Sequence, residues 1–236
     1  MLLINTVYFK SNWAKEFNKN DTKEKTFYML KGKKKHPMMR QSGKYRYFET
    51  DKFQTIALPY RDPAFLSLYA NGIFNQNRYC LYIFLPNKNY GINQFCDDFN
   101  YEDFRQLMEE YKTLESYEGQ ITLPKFTFSF QKELKSELSS IGMKEAFDPL
   151  KANFNKMTGG QAWIDRVIHQ TFIEVNETGT EAAAATKWDA KCRSMFKEIK
   201  TPPKPFNMVV DRPFFFVIRD DSTDAILFMG TVMEPQ

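Results

Sequence analysis

The sequence predicts an α+β fold. Three observations carry that expectation: many short runs rich in β-branched and aromatic residues, two stretches with helical spacing, and no regular alternation of the two. The first residues, Met1-Leu2-Leu3-Ile4-Asn5-Thr6-Val7-Tyr8-Phe9-Lys10, read as a strand. Further strand-like runs lie at 45–48, 55–58, 80–85, 120–123 and 126–130, punctuated by Asp, Asn, Gly and Pro. The stretch 99–111 carries Phe99, Phe104, Leu107, Met108 and Tyr111 at helical spacing. A second predicted helix, 131–141, carries Leu134, Leu138 and Ile141 and stops at Gly142, a residue suited to a helix C-terminus. No repeat of about 20–50 residues occurs, and no linker is long enough to split the chain. The expectation is one domain over all 236 residues.

Composition narrows the function classes. Aromatic residues reach 16%, with 23 Phe and 12 Tyr, so the core should be rich in rings. Cys80, Cys96 and Cys192 are the only cysteines, an odd and sparse set that fits neither a disulfide scaffold nor a four-cysteine zinc site. The net charge is +4, with 33 Lys and Arg nearly balanced by 29 Asp and Glu. That excess is too weak to point to nucleic acid. No run approaches the ~20 apolar residues of a membrane span, so no membrane partner is expected. Only about three apolar residues precede Asn5, short of the ~7–15 of a signal-peptide core. A chain that starts in a buried-looking strand reads as truncated at its N-terminus.

Three segments stand apart. Lys31-Gly32-Lys33-Lys34-Lys35-His36 is a basic run, read as a solvated hairpin tip with a polyanion patch as the alternative. The segment 62–77 mixes apolar residues with Gly and Asn between two strand-like runs. The segment 178–186 is Thr-Gly-Thr-Glu-Ala-Ala-Ala-Ala-Thr, directly after the aliphatic strand Phe172-Ile173-Glu174-Val175. Alanine favours helix, yet Gly179 and the flanking threonines resist it. Small side chains suit a segment that must fit between strands.

Residues 172–186, F-I-E-V-N-E-T-G-T-E-A-A-A-A-T, resemble the reactive-loop hinge of inhibitory serpins, the serine protease inhibitor family. Asn5-Thr6-Val7-Tyr8-Phe9-Lys10-Ser11-Asn12-Trp13 resembles the third strand of the family's large sheet A, with Ser11 where the family usually has Gly. Leu58-Pro59-Tyr60, Ile83-Phe84-Leu85-Pro86, Leu123-Pro124-Lys125-Phe126, Met208-Val209-Val210-Asp211-Arg212-Pro213-Phe214 and Leu227-Phe228-Met229-Gly230 follow in the family's order. The resemblance covers nearly the whole chain except 62–77, which looks like an insertion. It implies the serpin fold, a large mixed sheet A with sheets B and C and surrounding helices, here without the N-terminal helices and the first sheet-A strands.

The resemblance also implies a mechanism. A protease attacks one bond of the reactive-centre loop, 177–200, and forms an acyl-enzyme. The cleaved loop then enters sheet A as an added strand. Glu177, Gly179, Thr180, Glu181, Ala182, Ala183, Ala184, Ala185 and Thr186 would form the hinge. Alternate residues of an inserted strand face the core, and Thr180, Ala182, Ala184 and Thr186 are small and uncharged. Trp188 falls on the same face, later in the insertion. From Gly179 to Arg193 the segment would span roughly 50 Å at ~3.3 Å per residue. The family's register puts the scissile bond fourteen residues past the hinge glycine, between Arg193 and Ser194, with Lys191 as competitor. Arginine there implies a trypsin-like serine protease as partner, since Arg pairs bidentately with a buried carboxylate. Trp13 would sit where the loop first enters, and Asn5 and His169 beneath the sheet, His169 as a satisfied buried histidine.

Other chemistry finds little support. A Ser/His/Asp or Cys/His site would need His36 or His169, the only two histidines. Two distant histidines and no clustered cysteines point to no metal and no cofactor. Cys192 beside Arg193 reads as incidental. Asn20-Asp21-Thr22 and Asn176-Glu177-Thr178 are glycosylation sequons; a glycan at Asn176 would hinder insertion. The expected protein is not an enzyme. It is a monomeric protease inhibitor acting outside the cell, with the cytoplasm as the alternative compartment. The competing readings are a non-inhibitory serpin-like protein and an inactive fragment.

Overall fold

Apolar runs become buried strands and amphipathic runs become covering helices. The computed structural model describes residues 1–61, 78–180 and 205–236. The 62–77 segment, the loop residues Glu181, Ala182, Ala183, Ala184, Ala185 and Thr186, and the Arg193–Ser194 bond lie outside the described residues. The strands are β1 (Leu2–Tyr8), β2 (Ser11–Asn12), β3 (Lys23–Tyr28), β4 (Lys33–Glu49), β5 (Phe53–Pro59), β6 (Tyr79–Pro86), β7 (Ser116–Pro124), β8 (Phe126–Glu133), β9 (Arg166–Val175), β10 (Gly179–Thr180), β11 (Phe206–Val209), β12 (Phe214–Asp220) and β13 (Ala225–Val232). The helices are α1 (Gly91–Asp98), α2 (Tyr101–Thr113), α3 (Lys135–Ser140) and α4 (Asn155–Thr158). None of the described helices is long and apolar enough to cross a membrane.

The chain divides into two compact units. The first comprises Met1–Lys10 and Thr127–Glu174. Its sheet has the order β1-β9-β8, with β1 parallel to β9 from Leu2↔Arg166 to Tyr8↔Phe172. Phe147, Ile164 and Val167 form its core, with Leu134, Leu138 and Phe154 packed against them. Leu2, Leu3 and Ile4 are exposed.

The second unit comprises Ser11–Phe126 and Val175–Gln236. Its large sheet has the order β11-β7-β4-β5-β6-β12-β13, with β3 paired to β4. The near-continuous apolar runs Tyr-Cys-Leu-Tyr-Ile-Phe-Leu-Pro of β6 and Phe-Phe-Phe-Val-Ile of β12 are what a strand in the interior of a covered sheet requires. Their antiparallel partners run from Phe215↔Phe84 to Asp220↔Tyr79. Helices α1 and α2 cover one face, where Phe95, Phe104, Leu107, Met108 and Tyr111 meet Tyr82, Phe84 and Val217. A small sheet of β2 and β10 completes this unit.

The predicted strands are all present; those at 45–48, 55–58, 80–85, 120–123 and 126–130 run longer than their apolar stretches, while β1 ends at Tyr8, short of Lys10. The helix expected at 99–111 begins two residues later. Phe99 caps the end of α1, and Asn100 caps α2 through a reciprocal box with Asp103. The helix expected at 131–141 shrinks to α3. Strand β8 continues through Glu133, and the Leu134 amide donates to the Val167 carbonyl at 2.8 Å, so sheet pairing outcompetes helical spacing there. Gly142 does end the helix, at φ +111°, while the Met143 amide donates to the Leu138 carbonyl at 2.9 Å. The basic run is a tip only at Lys31 and Gly32. Lys33, Lys34 and Lys35 lie in β4, and His36 is buried, its Nε2 2.5 Å from the Lys125 carbonyl oxygen.

Candidate functional site

The site is a chain reversal at the end of β9. After Val175 the Asn176 amide donates to the Gly179 carbonyl (2.9 Å), and the Gly179 amide donates back to the Asn176 carbonyl (3.3 Å). The Asn176 side chain accepts from the Thr178 amide at 3.0 Å, the local bond that makes Asn a turn former. The chain then enters β10, which pairs antiparallel with β2 as Gly179↔Asn12 and Thr180↔Ser11.

Gly179 has no alternative residue on two grounds. Its φ is +143°, a region that L side chains rarely adopt. A Cβ added there would lie 2.3 Å from the Ser11 carbonyl oxygen, 2.5 Å from Asn12 Cα and 2.8 Å from the Trp13 nitrogen. All three contacts are with backbone, which cannot swing aside as a side chain could.

Trp13 holds the turn from below. It is 1% exposed and stacks on Tyr60 at 4.5 Å with the rings 9° from parallel. Phe17 meets its edge at 6.0 Å. Its Nε1–H donates to the Asn176 carbonyl at 2.8 Å, and its backbone amide donates to the Thr178 carbonyl at 3.0 Å. The Phe17 amide donates to the Glu177 carbonyl at 2.8 Å. Residues 14–17 are held in turn by Gln41, whose amide donates to the Lys15 and Glu16 carbonyls (2.9 and 2.8 Å), while Tyr45 donates to its oxygen (2.6 Å).

Glu177 is the buried charge of the turn. It is 6% exposed, accepts from the Thr22 hydroxyl at 2.9 Å, and pairs with Lys125 Nζ at 3.1 Å. Burial alone would raise its pKa. Hydrogen bonds from its own backbone, Thr22 and Lys125, with the lysine charge, outweigh that and lower it. Lys125 also ties this corner to the large sheet, because its carbonyl is the one facing His36. Burial is the main reason that the His36 pKa is lowered.

Of the residues expected to matter, Trp13, Glu177, Gly179 and Thr180 come together in the second unit. Asn5 and His169 meet each other in the first. They are register partners in β1 and β9, and the Asn5 amide donates to His169 Nδ1 at 3.1 Å. His169 is partly exposed rather than buried, a correction to the expectation of a core histidine; the face of the sheet that carries it is only partly covered. Thr22, Tyr60 and Lys125 were not expected to serve the turn. Lys125 and Tyr60 stand in recognisable Leu-Pro motifs, but no spacing in the sequence links them to Glu177 or Trp13. Asn20 is exposed on a 3₁₀ turn, whereas the other sequon asparagine, Asn176, is engaged.

Comparison with known proteins agrees with this architecture. The family model described as serpin (serine protease inhibitor) matches residues 1–235. An uncharacterized serpin-like protein of Methanosarcina acetivorans is 36% identical over the whole chain, which covers 51% of that protein. Serpin B10 of Rhinolophus ferrumequinum is 35% identical, again over the whole chain and 55% of its own length. Among solved structures, the thermophilic serpin tengpin in its native state superposes with a TM-score of 0.71 at 29% identity, covering 99% of this chain and 55% of that one. The chain thus spans about half the length of the relatives it matches. By the family match over nearly its full length, and by a fold shared with a native serpin, this chain belongs to the serpin family.

Proposed function

We propose that this chain is a suicide inhibitor of trypsin-like serine proteases, working by loop insertion. The observation that carries the reading is the β10–β2 pairing: the loop residues Gly179 and Thr180 already run antiparallel to the strand that follows β1. Continuing that register residue by residue opposes Ala182 to Phe9, Ala184 to Val7 and Thr186 to Asn5. In the closed pair, Asn5 has His169 opposite. An inserted strand would therefore replace one parallel interface, β1–β9, with two antiparallel ones. Antiparallel pairing is slightly the more stable per residue. Each added backbone hydrogen bond contributes about 0.5–1.5 kcal/mol, so a strand of several residues supplies a substantial driving force.

The chemistry belongs to the protease. Its serine oxygen attacks the Arg193 carbonyl, its histidine passes the proton to the Ser194 nitrogen, and the Arg193–Ser194 peptide bond breaks. An ester joins the Arg193 carbonyl to the protease. Insertion then carries the ester away from an ordered active site before water can cleave it. The same reading makes the inhibitor a monomer acting outside the cell, where the exposed Asn20 sequon could carry a glycan.

The test is incubation of the purified chain with trypsin. An adduct that survives SDS, lost in Ala182→Arg, supports the reading, since a charge at Ala182 would be buried unpaired. Clean cleavage after Arg193 with no adduct would make the chain a substrate and defeat it.

A further inference from the structure

The β3–β4 hairpin carries a surface that the inhibitory reading does not use. Its strands pair from Lys23↔Met38 to Tyr28↔Lys33, and residues 29–32 form the tip, with the Met29 amide donating to the Gly32 carbonyl at 3.0 Å. Gly32 has φ +92°, the backbone that lets so short a tip close. One face of the hairpin belongs to the core, with Phe27, His36 and Met38 buried. On the other, cross-strand partners share a side. Lys33 stands opposite Tyr28, and Lys35 opposite Thr26.

The tip is both cationic and apolar. Lys31, Lys33 and Lys35 are all exposed, and none has an ion-pair partner among the described residues. Lys34 is the hairpin lysine that does, pairing with Glu234 at 3.1 Å. Lys88 adds a further cation, its Nζ 5.8 Å from the centre of the Tyr28 ring. The single carboxylate of β3, Glu24, lies opposite Pro37, well back from the tip. Between these cations Tyr28 is 49% and Leu30 58% exposed. Their apolar surface continues into a groove of about 280 Å³ lined by Met29, Pro86, Ile92 and Pro213.

A soluble polyanion would use the lysines and leave Tyr28 and Leu30 in water. A bilayer surface with anionic headgroups uses both. Apolar side chains enter the headgroup boundary, and lysines within a Debye length are drawn to the negative leaflet. We propose that the β3–β4 tip docks this chain reversibly on an anionic lipid surface.

Vesicle sedimentation tests this with the complete chain. Vesicles of phosphatidylcholine mixed with phosphatidylserine should bind at least ~10-fold more tightly than phosphatidylcholine alone, and high salt should remove the difference. The triple variant Lys31→Glu, Lys33→Glu, Lys35→Glu should lose at least ~100-fold. The double variant Tyr28→Ser, Leu30→Ser should lose about 10-fold on vesicles yet elute from immobilised heparin at an unchanged salt concentration. All five positions are exposed, and an unchanged thermal midpoint will show that the variants fold. Equal binding to both vesicle types would overturn the proposal. So would a double variant that binds mixed vesicles as well as the parent, since the lysines would then serve a soluble polyanion.

Discussion

Replacing Gly179 with alanine should detach β10 from β2 without unfolding the protein. The added Cβ would lie 2.3–2.8 Å from three backbone atoms of Ser11, Asn12 and Trp13, far inside van der Waals contact. The backbone at φ +143° adds strain of about 1–3 kcal/mol for a residue with a side chain. Keeping the native arrangement would cost both terms. Peeling β10 away costs less, because only two residues pair there. The bonds lost are those of this short ladder and the Trp13 amide to Thr178, at about 0.5–1.5 kcal/mol each. The cheaper route caps the destabilisation at roughly 2–4 kcal/mol. Hydrogen exchange reads this directly: the Trp13 amide should lose protection in Gly179→Ala while the β6 and β12 amides keep theirs. A Trp13 amide that remains as protected as in the parent, with an unchanged thermal midpoint, would refute the reasoning.

Three further outcomes follow from the same geometry. Glu177→Gln should destabilise by about 1–3 kcal/mol at neutral pH, read as a lower urea midpoint. Because the folded-state pKa of Glu177 is lowered, its contribution is fully present above the ordinary carboxylate value of 4.5 and disappears as pH falls through the lowered one. The gap between parent and variant should therefore close in acid, and a gap independent of pH would contradict the ion pair. Trp13→Phe keeps a ring against Tyr60 but loses the 2.8 Å bond to the Asn176 carbonyl, for about 1–3 kcal/mol by denaturant titration; a loss as large as that of Trp13→Ala would mean that the indole nitrogen is irrelevant. Gly119→Ala should cost about 1–3 kcal/mol, since its Cβ would strike the Phe206 ring at 2.3 Å and that ring is stacked on Tyr47 at 4.1 Å. Calorimetry showing no change would mean that Phe206 swings away freely.

The sequence made the large sheet legible because interior strands are written as unbroken apolar runs, as in 80–85. It misplaced the start of α3 because Leu134 and Leu138 fit a helix while the Leu134 backbone is already claimed by Val167. The site was half visible. Gly179 and the alanines announce themselves by composition, and Trp13 by its motif. The pairing of Glu177 with Lys125, 52 residues apart, left no local trace. Nor did the stacking of Trp13 on Tyr60. Such partners are set by which strands meet, and topology is not encoded in any one window. His36 shows the same limit from the other side: a charge run suggested solvent, but alternation along β4 turns every second residue inward, and His36 is one of those.

The clamp around the turn bears on the proposed insertion through register. A strand shifted by one residue presents its other face to the core. Counted from Gly179 opposite Asn12, the inward set would be Thr180, Ala182, Ala184 and Thr186, all small and uncharged. Shifted by one, it would be Glu181, Ala183, Ala185 and Lys187, which buries two opposite charges too far apart in the strand to pair. The alanine run itself cannot choose between the two, since four identical residues fit either way. The choice falls to the first pair of the ladder, and there Gly179 is the residue that fits: against the backbone of Ser11, Asn12 and Trp13 any residue with a Cβ is excluded. Trp13 and Glu177 hold the turn from two sides, so the chain that follows has one place from which to start.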